Sequence, residues 1–262
     1  MDITVDGKPA FAATGGQPFE EGRPTIVFIH GGGMDHSVWA LQTRYFAYHG
    51  RNVLAVDLPG HGRTSGPALA TIAAMADWVM ALLDALGVVE AALVGHSMGS
   101  LVAFDAAARY PSRATALALL GTSVPMPVTD MLLDAAKNND HAAFDMVTLW
   151  GHSRDGQTGS NRAPGLWMTG GAVSLLERSA PGVLYAALKA ANEYRDGLDL
   201  AGNIGCPTLL LLAEHDAMTP ASAAKPLADA IPGARVTTLP GCGHMMMAEQ
   251  PDEVLDALIS IL

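Results

Sequence analysis

Residues 92–100 read Ala-Leu-Val-Gly-His-Ser-Met-Gly-Ser, and this stretch decides the fold. Its first half is small and apolar, which is typical of a buried strand, and a helical pattern follows from residue 101 to 110. Ser97 lies between them with a glycine two residues away on each side, at 95 and 99. A turn this sharp strains the backbone of the serine and leaves no room for a Cβ at either glycine. We therefore expect Ser97 to be exposed at the end of a central strand, before the positive end of a helix.

Outward from this stretch, strand-like apolar runs alternate with helical patterns. The predicted strands beside the one at 92–96 are residues 25–29, 52–57, 114–120, 208–212 and 235–239. The predicted helices are residues 39–48, 71–86, 220–230 and 251–262, and an edge hairpin is predicted within residues 1–20. Such alternation predicts an α/β fold with a mostly parallel sheet and right-handed crossovers.

Residues 121–203 interrupt the alternation. Helical patches are predicted at 129–138, 141–150 and 183–194, and a stretch rich in Gly, Ser and Asn covers 151–165. Two of the four tryptophans, Trp150 and Trp167, fall in this segment, which argues against a disordered linker. The expected organisation is a core domain made of residues 1–120 and 204–262, with residues 121–203 inserted as a helical cap.

Composition limits the possible partners. The chain has 262 residues and a formal net charge of −11, which disfavours nucleic acid and anionic membrane surfaces. No apolar run is long enough to span a bilayer, and residues 1–6 show no secretory signal. Cys206 and Cys242 are predicted at opposite ends of neighbouring strands, too far apart for a disulfide. We expect a cytoplasmic protein that acts on a small molecule, as a monomer or a homodimer.

A serine nucleophile needs a base, and the base needs an acid that orients it. Asp216 follows the strand at 208–212, and His244 follows the last predicted strand. The Gly-x-Ser-x-Gly turn, followed by Asp216 and then His244, resembles the nucleophile elbow and the triad order of the α/β-hydrolase fold superfamily, in particular its serine esterase-like members. The resemblance implies that Ser97 is the nucleophile, Asp216 the acid and His244 the base. The alternative acid position of the family holds Gly121, and Glu214 lies two residues too early.

The resemblance also implies where the oxyanion donors lie. One is the backbone N–H of Met98, directly after the nucleophile, and the other comes from the glycine-rich loop after the strand at 25–29. Gly32 is the first choice in that loop and Gly33 the second. Their missing side chains would let the backbone approach the substrate.

The remaining histidines point to structural roles. His30 and His96 belong to motifs and are expected to shape the loop and the elbow through hydrogen bonds, and His61 lies in a loop that recurs in the family. The others lack metal-ligand spacing, so no metal site and no cofactor are predicted; they are His36, His49, His141, His152 and His215.

The motif residues differ from those of several enzyme classes of this fold, and these differences narrow the expected reaction. Dehalogenases and epoxide hydrolases of this fold carry aspartate where this chain has Ser97. Meta-cleavage C–C hydrolases usually have Asn and Trp at the positions of His96 and Met245. The sequence therefore favours carboxylic ester hydrolysis without a cofactor. The alternatives are a C–C hydrolase, a lactonase or a perhydrolase of the same fold, or a receptor-like protein that binds a small molecule.

The predicted substrate pocket is apolar. Large apolar residues beside the catalytic positions or within the inserted segment are its candidates; they are Met34, Trp150, Trp167, Met168 and Met245. Methionine is flexible and adapts to several shapes, so we expect a promiscuous esterase for small to medium apolar acyl groups.

Overall fold

A computed structural model describes residues 1–159, 162–195 and 197–262 of the chain. Over these residues, eight strands form one sheet. In chain order the strands are β1 Asp2–Val5, β2 Lys8–Ala13, β3 Thr25–Ile29, β4 Asn52–Val56, β5 Ala91–His96, β6 Ala114–Leu120, β7 Thr208–Ala213 and β8 Arg235–Leu239.

The strand order across the sheet is β1-β2-β4-β3-β5-β6-β7-β8. The edge hairpin of β1 and β2 is antiparallel, β2 joins β4 antiparallel, and all pairs from β4 to β8 are parallel. The predicted fold class, a mostly parallel α/β sheet, is confirmed. Because β5 pairs with β3 and β6, its carboxyl end lies in the middle of the edge where parallel α/β sheets bind ligands.

Helices cover both faces of this sheet. In chain order the α-helices of the described residues are α1 Ala40–Tyr48, α2 Ile72–Ala85, α3 Met98–Arg109, α4 Asp130–Lys137, α5 Ala142–Gly151, α6 Arg154–Gln157, α7 Met168–Arg178, α8 Val183–Glu193, α9 Gly197–Leu200, α10 Lys225–Ala230, α11 Met246–Glu249 and α12 Pro251–Ile259. No helix among the described residues is both long and apolar enough to cross a bilayer.

Alternate residues of β3 belong to two different apolar cores, as strand geometry requires. Val27 and Ile29 pack with the apolar faces of α2 and α3 on one side of the sheet. Ile26 and Phe28 pack with α1 and α12 on the other side. A strand that is buried on both faces explains why the sequence of β3 is continuously apolar rather than alternating.

The segment 121–203 is helical, and strands are absent from its described residues, 121–159, 162–195 and 197–203. Four of its helices, α4, α5, α7 and α8, share a third apolar cluster that includes Leu132, Val147 and Leu184. Of the stretch rich in Gly, Ser and Asn at 151–165, residues 160 and 161 lie outside the described residues, and residues 154–157 form α6. The sequence prediction also missed α7, because its two adjacent glycines lower the helix propensity while burial of Leu176 favours the helix.

Candidate active site

Ser97 lies at the turn between β5 and α3, where the sequence predicts it. Its backbone has φ +54° and ψ −125°, a conformation that L-residues rarely adopt. A Cβ on Gly95 would lie 2.0 Å from the carbonyl oxygen of Gly99. A Cβ on Gly99 would lie 2.4 Å from the carbonyl oxygens of Ile29 and His30. Both glycines are therefore required by close backbone contacts.

We expect Gly99→Ala to lower the free energy of unfolding by about 1–3 kcal/mol, because the added methyl group overlaps two backbone carbonyls of β3 and its loop. The matched control is Gly171→Ala within α7, where a Cβ would meet nothing within 4 Å. The control should leave the stability unchanged or raise it by up to about 1 kcal/mol. Urea unfolding of both variants measures the difference. Equal stability of the two variants would contradict the assigned role of Gly99.

Asp216 and His244 meet at the same edge of the sheet. Asp216 lies in the loop after β7 and His244 in the loop after β8, and His244 Nδ1 lies 2.7 Å from Asp216 Oδ2. Both side chains are buried, with exposed fractions of 2% for His244 and 0% for Asp216. This contact assigns the Nδ1 proton to His244, since a carboxylate only accepts.

Hydrogen bonds hold Asp216 in its charged form. Its Oδ1 accepts from the backbone N–H groups of Met218 and Thr219, at 2.9 and 2.7 Å. Its Oδ2 accepts from the Thr219 hydroxyl at 2.8 Å as well as from His244. Burial alone would raise the pKa of Asp216, but the neighbouring His244 and the Thr219 donors outweigh burial and lower it. The side chain is therefore a carboxylate near neutral pH.

In the neutral form of His244 with its proton on Nδ1, the lone pair lies at Nε2. This atom is buried and has no hydrogen-bond partner among the described residues. Ser97 and His244 line the same cavity. A buried imidazole nitrogen without a partner is uncommon in folded proteins and is suited to accept a proton from a group in that cavity.

His96 connects the elbow to the loop of His244. Its Nε2 lies 2.9 Å from the carbonyl oxygen of His244 and donates to it, and the two rings lie 4.6 Å apart. Burial and the neighbouring His244 lower the pKa of His96 to about 3, so the ring is neutral. His30 acts similarly in its own loop: Nδ1 donates to Gly31, and Nε2 accepts from the backbone N–H of Leu58. Both histidines thus form the motif-shaping hydrogen bonds that the sequence suggests.

The glycine-rich loop after β3 lies beneath α8. A Cβ on Gly32 would lie 3.0 Å from the methyl group of Ala187, and one on Gly33 would lie 2.9 Å from Leu184. Gly33 also has a positive φ of +72°. Close contact with α8 explains why positions 32 and 33 have no side chain, and the sequence alone did not indicate this contact. Met98 is the first residue of α3, so its N–H is one of the amides without an intrahelical partner.

The cavity at Ser97 has a volume of about 100 Å³. Its described lining residues are mostly apolar and come from the strand ends and the inserted segment: Gly32, Met34, Ser97, Met98, Met126, Pro127, Val128, Thr129, Leu132, Val147, Trp150, Leu184, Ala187, Leu188, Ala191, Ala217, Met218, Thr219, His244 and Met245. Apart from the His244 imidazole, this described lining contains no ionisable side chain. The cavity is thus suited to an uncharged ligand.

The structure separates the five predicted pocket residues into two groups. Met34, Trp150 and Met245 line the cavity at Ser97. Trp167 and Met168 do not line it; they border a different groove at the start of α7, and Trp167 is 76% exposed. Trp167 lies on the outer side of the inserted segment, away from the cavity. The sequence does not show which side of the segment a residue faces.

The inserted segment also contacts the loop of His244 directly, which the sequence did not indicate. The N–H of Met245 donates to the carbonyl oxygen of Gly151 at 2.8 Å. The N–H of Ser153 lies 3.2 Å from both carboxylate oxygens of the buried Glu249. Glu214, by contrast, accepts from the N–H of Gly241 at 2.8 Å and stabilises the turn after β8.

One cluster has the side chains that a metal ion would need. Asp35, His36 and Asp57 each offer a ligand atom, and these atoms lie within 4.8 Å of one another. From the sequence, His36 was predicted to be isolated. In the structure its Nδ1 lies 2.8 Å from Asp57 Oδ1, and this hydrogen bond raises the pKa of His36. Asp57 also accepts from the backbone N–H of Arg63. These bonds account for the cluster as a structural ion pair.

Comparison with known proteins gives a consistent result. Residues 24–251 match the family model described as alpha/beta hydrolase fold. The chain is 33% identical over 257 residues to a pimeloyl-[acyl-carrier protein] methyl ester esterase of Aromatoleum aromaticum, covering 88% of this chain and 95% of that protein. It is 26% identical to an (E)-2-((N-methylformamido)methylene)succinate hydrolase of Acinetobacter baylyi, with coverages of 91% and 89%. Among solved structures, the N-acyl homoserine lactone degrading enzyme Est816 has a TM-score of 0.85 at 25% identity, with both chains covered completely.

Proposed function

Because this chain belongs to the α/β-hydrolase fold family, we propose that it is a serine hydrolase that cleaves carboxylic esters through an acyl-enzyme on Ser97. The observation that carries the proposal is the buried His244, which is bonded to Asp216 at 2.7 Å and lines one cavity together with Ser97. The similarity to proteins named esterase supports the choice of esters. In this proposal residues 121–203 are the cap that covers the substrate.

In the first half of the reaction, the Ser97 oxygen attacks the ester carbonyl carbon while His244 Nε2 takes the hydroxyl proton. The carbonyl oxygen becomes an oxyanion that the N–H groups of Met98 and Gly32 stabilise, with Gly33 as the second candidate in the loop. Asp216 stabilises the imidazolium through Nδ1. The tetrahedral intermediate then collapses, its C–O bond to the alcohol breaks, and the imidazolium returns the proton to the leaving alkoxide.

In the second half, water replaces the alcohol. His244 Nε2 takes a proton from the water as its oxygen attacks the acyl carbon, and the same donors stabilise the second oxyanion. The bond between the acyl carbon and the Ser97 oxygen breaks, and the imidazolium protonates that oxygen. The products are the acid and the free enzyme, and no cofactor takes part in this scheme.

The cavity supports a substrate with a small apolar acyl group. Its volume is about 100 Å³. An engineered apolar cavity that binds benzene has roughly 150 Å³, so the smaller cavity here favours acyl groups of a few carbon atoms. The described lining contains no arginine or lysine that could pair with an acidic substrate. Arg63 stacks on Phe11 at 3.7 Å and pairs with Asp2, and Arg162 pairs with Glu253.

We expect kcat/KM for p-nitrophenyl acetate and butyrate to exceed that for the octanoate and for a succinate monoester by at least about tenfold. We expect an octanoyl chain to need more room than this cavity offers. A carboxylate would lose its hydration without gaining a partner. A succinate monoester belongs in the series because a relative is named for a succinate derivative. A clear preference for the succinate monoester would contradict the proposed substrate class.

Two tryptophan variants provide a matched control for the acyl series. Trp150→Ala should raise the relative kcat/KM for the octanoate, because Trp150 lines the cavity. Trp167→Ala should leave the series unchanged, because its side chain is 76% exposed and borders another groove. Equal effects of the two substitutions would show that Trp150 does not limit acyl length.

A lactonase is the second candidate. A lactone is a cyclic ester, so the same nucleophile, base and oxyanion donors would open its ring. The observation in its favour is the full-length similarity to the lactone-degrading Est816. Measuring kcat/KM for an N-acyl homoserine lactone beside the butyrate ester decides between the two. Rapid labelling of Ser97 by a fluorophosphonate would exclude the receptor-like alternative, because only an activated serine reacts quickly.

A further inference from the structure

Thr219 has a hydroxyl group at the contact between Asp216 and His244. The residue is 3% exposed. Its Oγ1 lies 2.8 Å from Asp216 Oδ2 and 3.2 Å from His244 Nδ1. The hydroxyl therefore reaches both members of the pair that the proposed mechanism uses, although that mechanism gives it no role.

The chemistry of these three groups fixes where their protons lie. The Asp216 carboxylate can only accept, so the Thr219 hydroxyl proton points to Oδ2 and the Nδ1 proton of His244 points to the same oxygen. A lone pair of the Thr219 oxygen is then left facing Nδ1 at 3.2 Å. The three groups form a closed triangle in which Oδ2 accepts two hydrogen bonds, one from the Thr219 hydroxyl and one from His244 Nδ1.

We propose that Thr219 is a positioning residue whose hydroxyl shares Asp216 Oδ2 with His244 and so weakens the hold of the carboxylate on the His244 proton. A donor on a carboxylate oxygen disperses its negative charge and reduces its attraction for a neighbouring cation. The hydroxyl thereby keeps His244 easier to deprotonate and keeps more of it in the neutral form that serves as base. This inference rests on the proposed function, since it concerns the base of that reaction.

The other groups around His244 come from three further elements. His96 at the end of β5 packs on its ring, His152 follows α5, and Glu249 ends α11. Burial lowers the pKa of both His96 and His152, so both are neutral near pH 7. Glu249 is bonded to the backbone of Ser153. None of these contacts involves the Thr219 hydroxyl.

The test is the pH dependence of kcat/KM in Thr219→Val and Thr219→Ser. Valine keeps the shape and the backbone N–H bond to Oδ1 but removes the hydroxyl, whereas serine retains it. In the valine variant the acid limb of the profile should move to higher pH by about half a unit, which lowers kcat/KM about threefold below the midpoint. The serine variant should follow the wild-type profile. Thr219→Ala is a second variant without the hydroxyl and should show the same shift.

Two results would overturn the proposal: an unshifted acid limb in the valine and alanine variants, or the same shift in the serine variant. A lower plateau without a shift is one form of the first result and would indicate a packing role only. The midpoint of the His244 titration, followed by NMR and assigned with His244→Gln, measures the same shift without substrate. If the wild type cleaves no ester but the His244 midpoint still shifts in Thr219→Val, the proposed function is refuted and the role of Thr219 stands.

Discussion

Replacing Ser97 with alanine is expected to lower kcat for p-nitrophenyl butyrate by at least about 10⁴-fold. The substitution removes the only atom that can form the acyl-enzyme in the proposed mechanism, and it leaves the Cβ and the backbone of the elbow in place. Alanine has the same Cβ as serine, so the strained φ of +54° gains no additional strain. The measurement is steady-state kinetics on protein whose circular dichroism matches the wild type.

The control for this variant is Ser174→Ala on the exposed side of α7, which should leave kcat unchanged. Fluorophosphonate labelling should disappear in Ser97→Ala and persist in the control. An alanine variant at position 97 that retains a tenth or more of the wild-type kcat would refute Ser97 as the nucleophile.

Asp216→Asn should lower kcat by about 10³–10⁴-fold without unfolding the protein. Its Oδ1 could still accept from the backbone N–H groups of Met218 and Thr219, which places the new NH2 group at the position of Oδ2. That NH2 group would face the Nδ1 proton of His244, donor against donor. The imidazole would then adopt the other tautomer, with its proton on Nε2, where it could no longer take the proton of Ser97.

Glu214→Gln is the matched control, because Glu214 is the other carboxylate in the loop after β7. Its Oε2 accepts from the N–H of Gly241, a bond that the amide oxygen of glutamine can keep. The control should therefore retain most of its kcat. If Glu214→Gln were the damaging change and Asp216→Asn were mild, Asp216 would be the wrong acid.

Much of the core was predictable from residue order alone. A parallel strand buried on both faces must be continuously apolar, and the sequence of β3 identifies it in this way. The pair Gly95 and Gly99 predicts a turn in which two backbone segments lie in close contact. In the structure, a Cβ at either position would overlap backbone carbonyl oxygens. Because parallel strands end at one edge of the sheet, the residues after β7 and β8 were bound to meet near Ser97.

Helix α7 and the pocket were less predictable. Gly170 and Gly171 make α7 a poor helix by propensity, and its stability comes from tertiary burial of Leu176. Trp167 and Met168 are as apolar in sequence as Trp150, but only the folded arrangement of the helices decides which of them line the cavity. Local sequence carries no signal for the side of an inserted layer that faces the sheet.

Sequence by itself therefore determined the α/β fold, the turn at Ser97 and the loops that hold Asp216 and His244, because each depends on periodicity or on local steric limits. Tertiary structure alone decided the contacts between elements distant in the chain. It placed α8 on Gly32 and Gly33, Glu249 beside Ser153, and His36 beside Asp57. The physical reason is that a buried polar group needs a hydrogen-bond partner, and a closely packed glycine needs a neighbour of the right shape. Either can come from any distant part of the chain, so a single sequence does not identify it.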